Sequence, residues 1–214
     1  GQLLTMRSLT GSKGPRKGRQ MGEIGLIGPQ AAILVRGQRI IKVGIHQEVM
    51  RLLKKGSFYE IDAGGKVVMP GFVDSHTHGL FAQSRIQDFE MRLKGATYEE
   101  IAKKGGGIRS SVRSLREAEA DFLTAELERW GRRALEHGIT TMEVKSGYGL
   151  DLESERKMLL VIRRAHASIE LVPTFLGAHA VPEEFAGRQD QYVEFVCAQM
   201  LPALRSLAVF CDVF

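Results

Sequence analysis

Residues 70–78 read Pro-Gly-Phe-Val-Asp-Ser-His-Thr-His. The pattern predicts a short apolar strand at residues 72–74 that leads into His76 and His78. Residues two apart in extended backbone project to the same side, so both imidazoles can face one point. Two such imidazoles suit a divalent metal ion, which binds each nitrogen at about 2.0–2.1 Å. Two solvent-exposed loop histidines would give the same pattern, so both interpretations stay open on this stretch alone.

After Pro70, predicted strands alternate with predicted helices. The strands are at residues 72–74, 139–144, 170–175 and 207–214, and the helices are at residues 118–137, 152–165 and 191–204, the last of which Pro202 could end early. Such alternation is typical of an α/β fold in which helices connect parallel strands. Four strands could form a small open sheet or half of an eight-stranded barrel, in which sites lie at the carboxyl ends of the strands.

Before Pro70, short β-branched runs alternate with glycine-containing turns. We predict hairpins from residues 31–36 with 39–43 and from residues 59–63 with 66–69, and a short helix at residues 46–55. The sequence therefore predicts two domains, a small β domain at residues 1–69 and an α/β domain at residues 70–214.

Composition excludes several classes of protein. The chain has 214 residues, of which 43% are apolar and 26% charged, as in globular proteins and unlike disordered ones. Its longest apolar runs fall far short of the roughly 20 residues of a membrane helix. The N-terminus lacks the apolar core of a signal peptide, and two cysteines cannot form a disulfide framework. We therefore expect a cytoplasmic protein without a membrane partner.

The net charge of +5 does not indicate nucleic-acid binding. Five of the cations lie in residues 1–22, which contain no acid, and the rest of the chain has 25 charges of each sign. The basic stretch at residues 12–20 contains glycine and proline but no aromatic residue for base stacking. We predict a solvated loop there and no nucleic-acid partner.

Several motifs resemble one known family. Residues 70–78 resemble the first barrel strand of the amidohydrolase superfamily, whose members often carry a small β-sandwich built partly from residues before the barrel. Further matching motifs are SR at 84–85, MRLKGATYEEI at 91–101, GGGI at 105–108, EVKSGYGLD at 143–151, VPTFLGAHAVP at 172–182 and FCDVF at 210–214. The resemblance covers nearly the whole chain. It implies a (β/α)8 barrel, of which this chain holds about the first four strands, and part of a β-sandwich.

The resemblance also implies a reaction. The matching branch of the superfamily hydrolyses 4-imidazolone-5-propanoate to N-formimidoyl-L-glutamate in histidine degradation. It implies one divalent metal ion, zinc or iron, with His76 and His78 as ligands. Such an ion lowers the pKa of its bound water to about 7 and so supplies hydroxide. The partner would be a small imidazolone carboxylate, and a homodimer is a possible assembly.

By the same resemblance, four residues contact the substrate. Arg85 would bind its carboxylate, for which a guanidinium fork is well shaped. Tyr148, which lies between two glycines after a predicted strand, would present its phenol to the ligand, and Tyr98 could also reach the carboxylate. His179 would make a hydrogen bond or relay a proton near the scissile carbonyl. For Lys145 we predict a structural role.

The count of four strands departs from the family pattern. An eight-stranded barrel needs four more, and the family takes its further metal ligands and its acid/base glutamate from later strands. We expect those residues to lie beyond Phe214, so that this chain alone is an incomplete and inactive half. Two alternatives stay open, which are another amidohydrolase acting on a cyclic amide or nucleobase, and a catalytically incomplete fragment that needs its missing half.

Overall fold

The computed structural model describes residues 1–8, 11, 15–53 and 58–214. The chain divides into two compact units, Gly1–Pro70 and Gly71–Phe214. Among the described residues, no helix combines the length and the apolar character needed to cross a membrane.

The first unit is built mainly of short strands. Its described elements are β1 (Gln2–Leu4), β2 (Leu26–Ile27), β3 (Ala31–Arg36), β4 (Arg39–Ile45), α1 (His46–Met50) and β5 (Val67–Val68). One sheet has the order β2-β1-β5, in which β1 is antiparallel to β2 and parallel to β5. The second sheet is the antiparallel hairpin β3-β4. Its turn contains Gly37 at a φ of 58°, a conformation that glycine adopts without strain. The first predicted hairpin is therefore confirmed.

The second predicted hairpin is wrong. Residues 59–63 form no strand, and Tyr59 and Ile61 are largely exposed, so this segment has no buried face to pair. The Gly64 amide donates to the Asp62 carboxylate, which closes a local turn. The predicted helix at residues 46–55 ends at Met50, and residues 54–57 lie outside the described residues. Of the predicted loop at residues 12–20, residues 12–14 also lie outside them, and an exposed 3-10 turn begins at Gly18.

The second unit has an α/β fold, with helices that connect the strands of a parallel sheet. Its strands are β6 (Phe72–Asp74), β7 (Ile139–Lys145), β8 (Glu170–Ala178) and β9 (Phe210–Val213). They lie in chain order, and every neighbouring pair is parallel. Parallel neighbours require a crossover connection of a dozen or more residues, usually a helix. The predicted α/β class is confirmed, and the sheet fits part of a (β/α)8 barrel.

Helices provide these connections and cover one face of the sheet. They are α2 (Ile86–Leu93), α3 (Tyr98–Lys103), α4 (Ile108–Glu117), α5 (Ala120–Glu136), α6 (Leu152–Arg164), α7 (Gln189–Phe195) and α8 (Leu201–Leu204). The core lies between the helices and the sheet, where Leu127 of α5 and Leu159 of α6 pack in one buried cluster with Val144 of β7. Full burial of such a side chain contributes roughly 1.5–3 kcal/mol to folding.

Helix and strand bounds differ from the sequence predictions in a few places. Helices α2, α3 and α4 were not predicted. The helix predicted at residues 191–204 begins at Gln189 and continues through a π-helical turn, Val196–Met200, into α8, whose second residue is Pro202. Proline is tolerated there because it lies in the first turn of α8. The last strand is shorter than predicted.

Candidate active site

His76 and His78 follow β6 and are held by the neighbouring strand β7 through the residue between them. The Thr77 amide donates to Glu143 Oε2 at 3.0 Å, and the Thr77 hydroxyl donates to the Glu143 carbonyl at 2.5 Å. The Lys145 amide in turn donates to the Thr77 carbonyl at 3.0 Å. The two imidazole centroids are 6.1 Å apart. The backbone of the His-x-His segment is thus fixed by three hydrogen bonds.

The His78 ring lies at the centre of an aromatic cluster. It stacks on His179 at a centroid distance of 4.9 Å and lies 5.3 Å from Tyr148. Burial, with the nearby His179, His76 and Lys145 charges, lowers the pKa of His78 to about 4. Its Nδ1 atom is buried and has no hydrogen-bond partner among the described residues. At neutral pH His78 is therefore a neutral imidazole with an unsatisfied nitrogen.

Tyr148 and His179 come from the loops after β7 and β8. Their rings lie 5.3 Å apart, and His179 Nδ1 lies 2.7 Å from the Gly147 carbonyl oxygen. A carbonyl can only accept, so Nδ1 carries the hydrogen, and in the neutral ring Nε2 is an acceptor. Burial raises the pKa of Tyr148, an effect that the Arg85 charge opposes, so the phenol keeps its proton at neutral pH.

Arg85 immediately precedes α2 and is half-buried. Its Nε donates to Asp88 Oδ2 at 2.7 Å, and the Gly107 amide donates to the same oxygen at 3.0 Å. Burial would raise the pKa of Asp88, but these hydrogen bonds outweigh it and lower the pKa. Asp88 is bound through Nε, and the terminal nitrogens of the guanidinium have no hydrogen-bond partner within the described ranges, so both can bind another carboxylate.

Tyr98 is the first residue of α3 and is exposed. A Cβ built on Gly107 would lie 3.7 Å from the Tyr98 hydroxyl. Tyr98 therefore lies close to Gly107, whose amide donates to Asp88. Among the described residues, the aromatic contacts of the cluster around His78 do not include Tyr98. The structure thus brings together His76, His78, Tyr148 and His179, and leaves Tyr98 beside the Arg85–Asp88 pair.

Two buried residues, Lys145 and Glu143, form an ion network with the partly exposed Asp212. Lys145 Nζ donates to Glu143 Oε1 at 2.9 Å and to Asp212 Oδ2 at 2.7 Å. Burial alone would lower the pKa of Lys145, but the hydrogen bonds and charges of Asp212 and Glu143 outweigh it and raise the pKa. Together with Val73 and Phe210 these residues line a cavity of about 270 Å³.

Sequence reasoning missed four carboxylates that hold the candidate site residues. They are Asp88, Glu143, Glu155 and Asp212. Some signals were present. Glu143 and Lys145 are oppositely charged at i and i+2, so they share one side of their strand. Glu155 is aligned at helical spacing with the buried residues Met158, Leu159 and Ile162. An acid in an apolar helical stripe indicates a buried, satisfied carboxylate.

The histidine pair fits two of the ligands of a metal site. A ligating imidazole must be neutral and must present a free nitrogen, and His78 meets both conditions. Within the described part of the chain, no group of three or more His, Cys, Asp or Glu side chains is placed to hold an ion. A catalytic zinc site usually has three protein ligands, so at least one more ligand would have to join this pair.

Comparison with known proteins gives consistent relatives. A family model described as the amidohydrolase family matches residues 59–128. The imidazolonepropionase of Solibacter usitatus (strain Ellin6076) is 46% identical over 217 residues, which is 100% of this chain and 51% of the relative.

Two further curated relatives carry the same name. The imidazolonepropionase of Rubrobacter xylanophilus is 48% identical, with 94% of this chain and 49% of the relative aligned. That of Symbiobacterium thermophilum is 46% identical, with 100% of this chain and 50% of the relative aligned. The chain therefore spans about half the length of the curated relatives that it matches.

Proposed function

We propose, from its similarity to the imidazolonepropionases and to the amidohydrolase family model, that the chain forms part of a hydrolase of 4-imidazolone-5-propanoate. The product would be N-formimidoyl-L-glutamate, in a step of histidine degradation. The observation that carries the proposal is the convergence of His78, Tyr148 and His179, with ring centroids 4.9–5.3 Å apart, just beyond the carboxyl ends of three parallel strands. Barrel enzymes carry their active sites at that end of the sheet.

The finer architecture belongs to the same proposal. Strands β6 to β9 would be four of the eight strands of a (β/α)8 barrel, and residues 1–69 would be part of a small β-sandwich. The parallel order of the four strands supports the first assignment. The predicted cytoplasmic location, the homodimer and the absence of a nucleic-acid partner stay predictions.

His76 and His78 would bind one divalent ion, zinc or iron. When bound, that ion lowers the pKa of a coordinated water to about 7 and supplies hydroxide at neutral pH. The neutral state of His78 favours this role, because a protonated imidazole cannot coordinate a metal. The hydrogen bonds of Thr77 to β7 keep the two rings in place, and further protein ligands would come from residues outside these 214.

Arg85 would bind the propionate of the substrate. Asp88 holds its Nε, so the terminal nitrogens can form two parallel hydrogen bonds to a carboxylate. Tyr148 keeps its proton and can donate a further hydrogen bond, and the Arg85 charge acts on its phenol, which indicates that the two groups face one region. Tyr98, beside Gly107, would complete the carboxylate site.

His179 would act next to the scissile amide. Hydrolysis forms a bond between the water oxygen and the ring carbonyl carbon and breaks the ring C–N bond, and a proton from water ends on the leaving nitrogen. Because Nδ1 of His179 is occupied by the Gly147 carbonyl, only Nε2 can accept a hydrogen bond or a proton from the reacting groups. We therefore assign proton transfer or substrate hydrogen bonding to Nε2.

The test is hydrolysis by the protein purified from its native host. We expect 4-imidazolone-5-propanoate to be converted to a product heavier by one water, detected by mass spectrometry. Hydantoin and cytosine, cyclic compounds without a carboxylate, serve as controls for other amidohydrolase activities and should react far more slowly. Turnover of either control with none of the imidazolone would overturn the proposal in favour of another amidohydrolase reaction.

A further inference from the structure

Glu155, in the first turns of α6, is a fully buried carboxylate that accepts hydrogen bonds from one loop. The Gly147 amide donates to both of its oxygens, each at 3.0 Å. The Gly149 amide donates to Oε1 at 2.8 Å and the Leu150 amide at 2.9 Å. Three of the four residues from Gly147 to Leu150 thus bind the same carboxylate, and the fourth is Tyr148.

A second layer connects this carboxylate to β8. The Ser146 hydroxyl accepts a hydrogen bond from the Leu176 amide at 2.9 Å, so its own hydrogen is available for Glu155, to which it is also bonded. Burial raises the pKa of Glu155, and the bonds from Ser146, Leu150, Gly147 and Gly149 oppose that rise. Backbone amides can only donate, so each of them needs an acceptor at this position.

The loop conformation is not one that the chain prefers by itself. Gly147 has a φ of 97°, and Leu150 has a φ of 58°, which is uncommon for a residue with a side chain. A Cβ at Gly147 would lie 2.8 Å from the Leu176 carbonyl oxygen and 3.1 Å from His179 Nδ1. Left-handed residues such as these persist where surrounding contacts fix them, and the bonds to Glu155 supply those contacts.

Core packing alone does not require a carboxylate at this position. Glu155 is aligned on α6 with the buried apolar residues Met158, Leu159 and Ile162, where a leucine would bury more apolar surface at no desolvation cost. Burial of an acid is favourable only when its oxygens are well satisfied. Both carboxylate oxygens of Glu155 accept hydrogen bonds from the loop that carries Tyr148. The carboxylate therefore serves to hold that loop.

We infer that Glu155 is a positioning residue, which places the Tyr148 phenol and fixes the tautomer of His179 through the backbone of Gly147. The connection is direct, because the Gly147 amide binds Glu155 and its carbonyl accepts from His179 Nδ1. This inference rests on the proposed function for its kinetic consequence but not for its structural one. Glu155 itself touches neither substrate nor metal.

The test is Glu155→Gln, which keeps the volume but turns one oxygen into a donor facing backbone amides. In Zn²⁺-loaded, ¹⁵N-histidine-labelled protein, proton–nitrogen correlation spectra recorded above the ordinary histidine pKa of about 6.5 report which nitrogen of His179 carries hydrogen. We expect Nδ1–H in the wild type and a mixture with Nε2–H in the variant. We also expect kcat/KM for the imidazolone to fall by about tenfold to a hundredfold, as small misplacements of catalytic groups do.

Two controls on the same helix separate positioning from stability. Glu153→Gln makes the same change at an exposed position and should leave both readouts as in the wild type. Leu159→Ala opens a cavity in the core and should lower stability without changing the His179 tautomer. Metal content should stay at the wild-type level in all three variants, because the histidine pair is held from β7.

Three outcomes would overturn the inference. They are an Nε2–H tautomer in the wild type, an unchanged tautomer in Glu155→Gln, and the same tautomer mixture in Leu159→Ala. If Glu155→Gln does not fold, Ser146→Ala removes one donor of the network and should give the same tautomer change in smaller proportion. If the wild type does not hydrolyse the imidazolone, the proposed function fails, while the tautomer readout still decides the role of Glu155.

Discussion

At the scale of single residues, two buried charged side chains, Lys145 and Glu143, support the candidate site. Lys145 is 5% exposed and Glu143 is 8% exposed, and the two side chains pair at 2.9 Å in a place where an unpaired charge would be costly. Their pairing serves the site because Glu143 also accepts from the amide of Thr77, between the two candidate metal ligands. The structural role that the sequence predicts for Lys145 stays a prediction, which mutation can test.

Lys145→Met should destabilise the protein strongly. The substitution leaves Glu143 buried without its cation, and breaking a buried pair from one side costs about 3–5 kcal/mol in the free energy of unfolding. Urea-induced unfolding measures this loss. The double variant Glu143→Gln with Lys145→Met removes the orphaned charge and should recover part of it, whereas a loss below about 1 kcal/mol in the single variant would show that the pair is dispensable.

Arg85→Ala should raise KM for 4-imidazolone-5-propanoate by about tenfold to a hundredfold, the range expected when a charged hydrogen-bonding partner is lost. The change in kcat should be smaller, because in the proposed role Arg85 would bind the propionate and not the reacting amide. Steady-state kinetics with metal analysis measure both. Arg92→Ala, an exposed arginine of α2, is the matched control. Loss of bound metal in Arg85→Ala would contradict the assigned role.

The sequence predicted the candidate site residues better than it predicted the carboxylates that hold them in place. His76, His78, Tyr148 and His179 follow strand ends, and the rule that parallel strands meet at one edge was sufficient to expect them together. Asp88 and Glu143 accept from backbone amides of segments far along the chain, such as Thr77 for Glu143. Glu155 binds a loop five to eight residues before it, whose conformation is unusual. Those distances depend on register and loop conformation, which no local pattern encodes.

Among the elements, α4 and α6 are joined by one lysine. Lys157 of α6 donates from Nζ to the carbonyls of Leu115, Arg116 and Ala118, at 2.9, 3.0 and 2.9 Å. The last carbonyls of a helix lack partners within it, and a cation there also favours the helix dipole. The carboxyl end of α4 is therefore completed by a side chain from another helix.

Lys157→Met should lower the free energy of unfolding by about 1–3 kcal/mol, since it removes the charged donor from these carbonyls. Arg156→Met, at the partly exposed neighbouring position on α6, is the control and should change stability by less than about 0.5 kcal/mol. Both are measured by urea-induced unfolding. Equal effects of the two substitutions would mean that the contact of Lys157 with α4 contributes nothing to the free energy of unfolding.

The elements that the sequence missed share a physical reason. The helix α4 is charged and has few apolar residues, and α2 and α3 have at most eight residues, so each depends on tertiary contacts such as those of Lys157 and Asp88. Isolated helices of this length are marginal in water. The long helices α5 and α6, with strong apolar periodicity, were predicted to within two residues at each end.

At the scale of the whole molecule, the unit Gly71–Phe214 contains every candidate site residue. Its parallel strands bring His76, His78, Tyr148 and His179 to one edge, but the described residues offer only a histidine pair to a metal ion. The chain spans about half the length of its relatives, and a complete metal site requires at least one more ligand.

The most direct test of the account asks whether the His-x-His pair is the metal site of a hydrolase. Mass spectrometry measures the metal content of the purified His78→Ala variant, with His166→Ala as the control. His166 is exposed, and its contact to Glu128 uses the backbone amide, so its replacement leaves the site intact. We predict that His78→Ala loses its metal while His166→Ala keeps the wild-type amount. Wild-type metal content in His78→Ala would contradict the account.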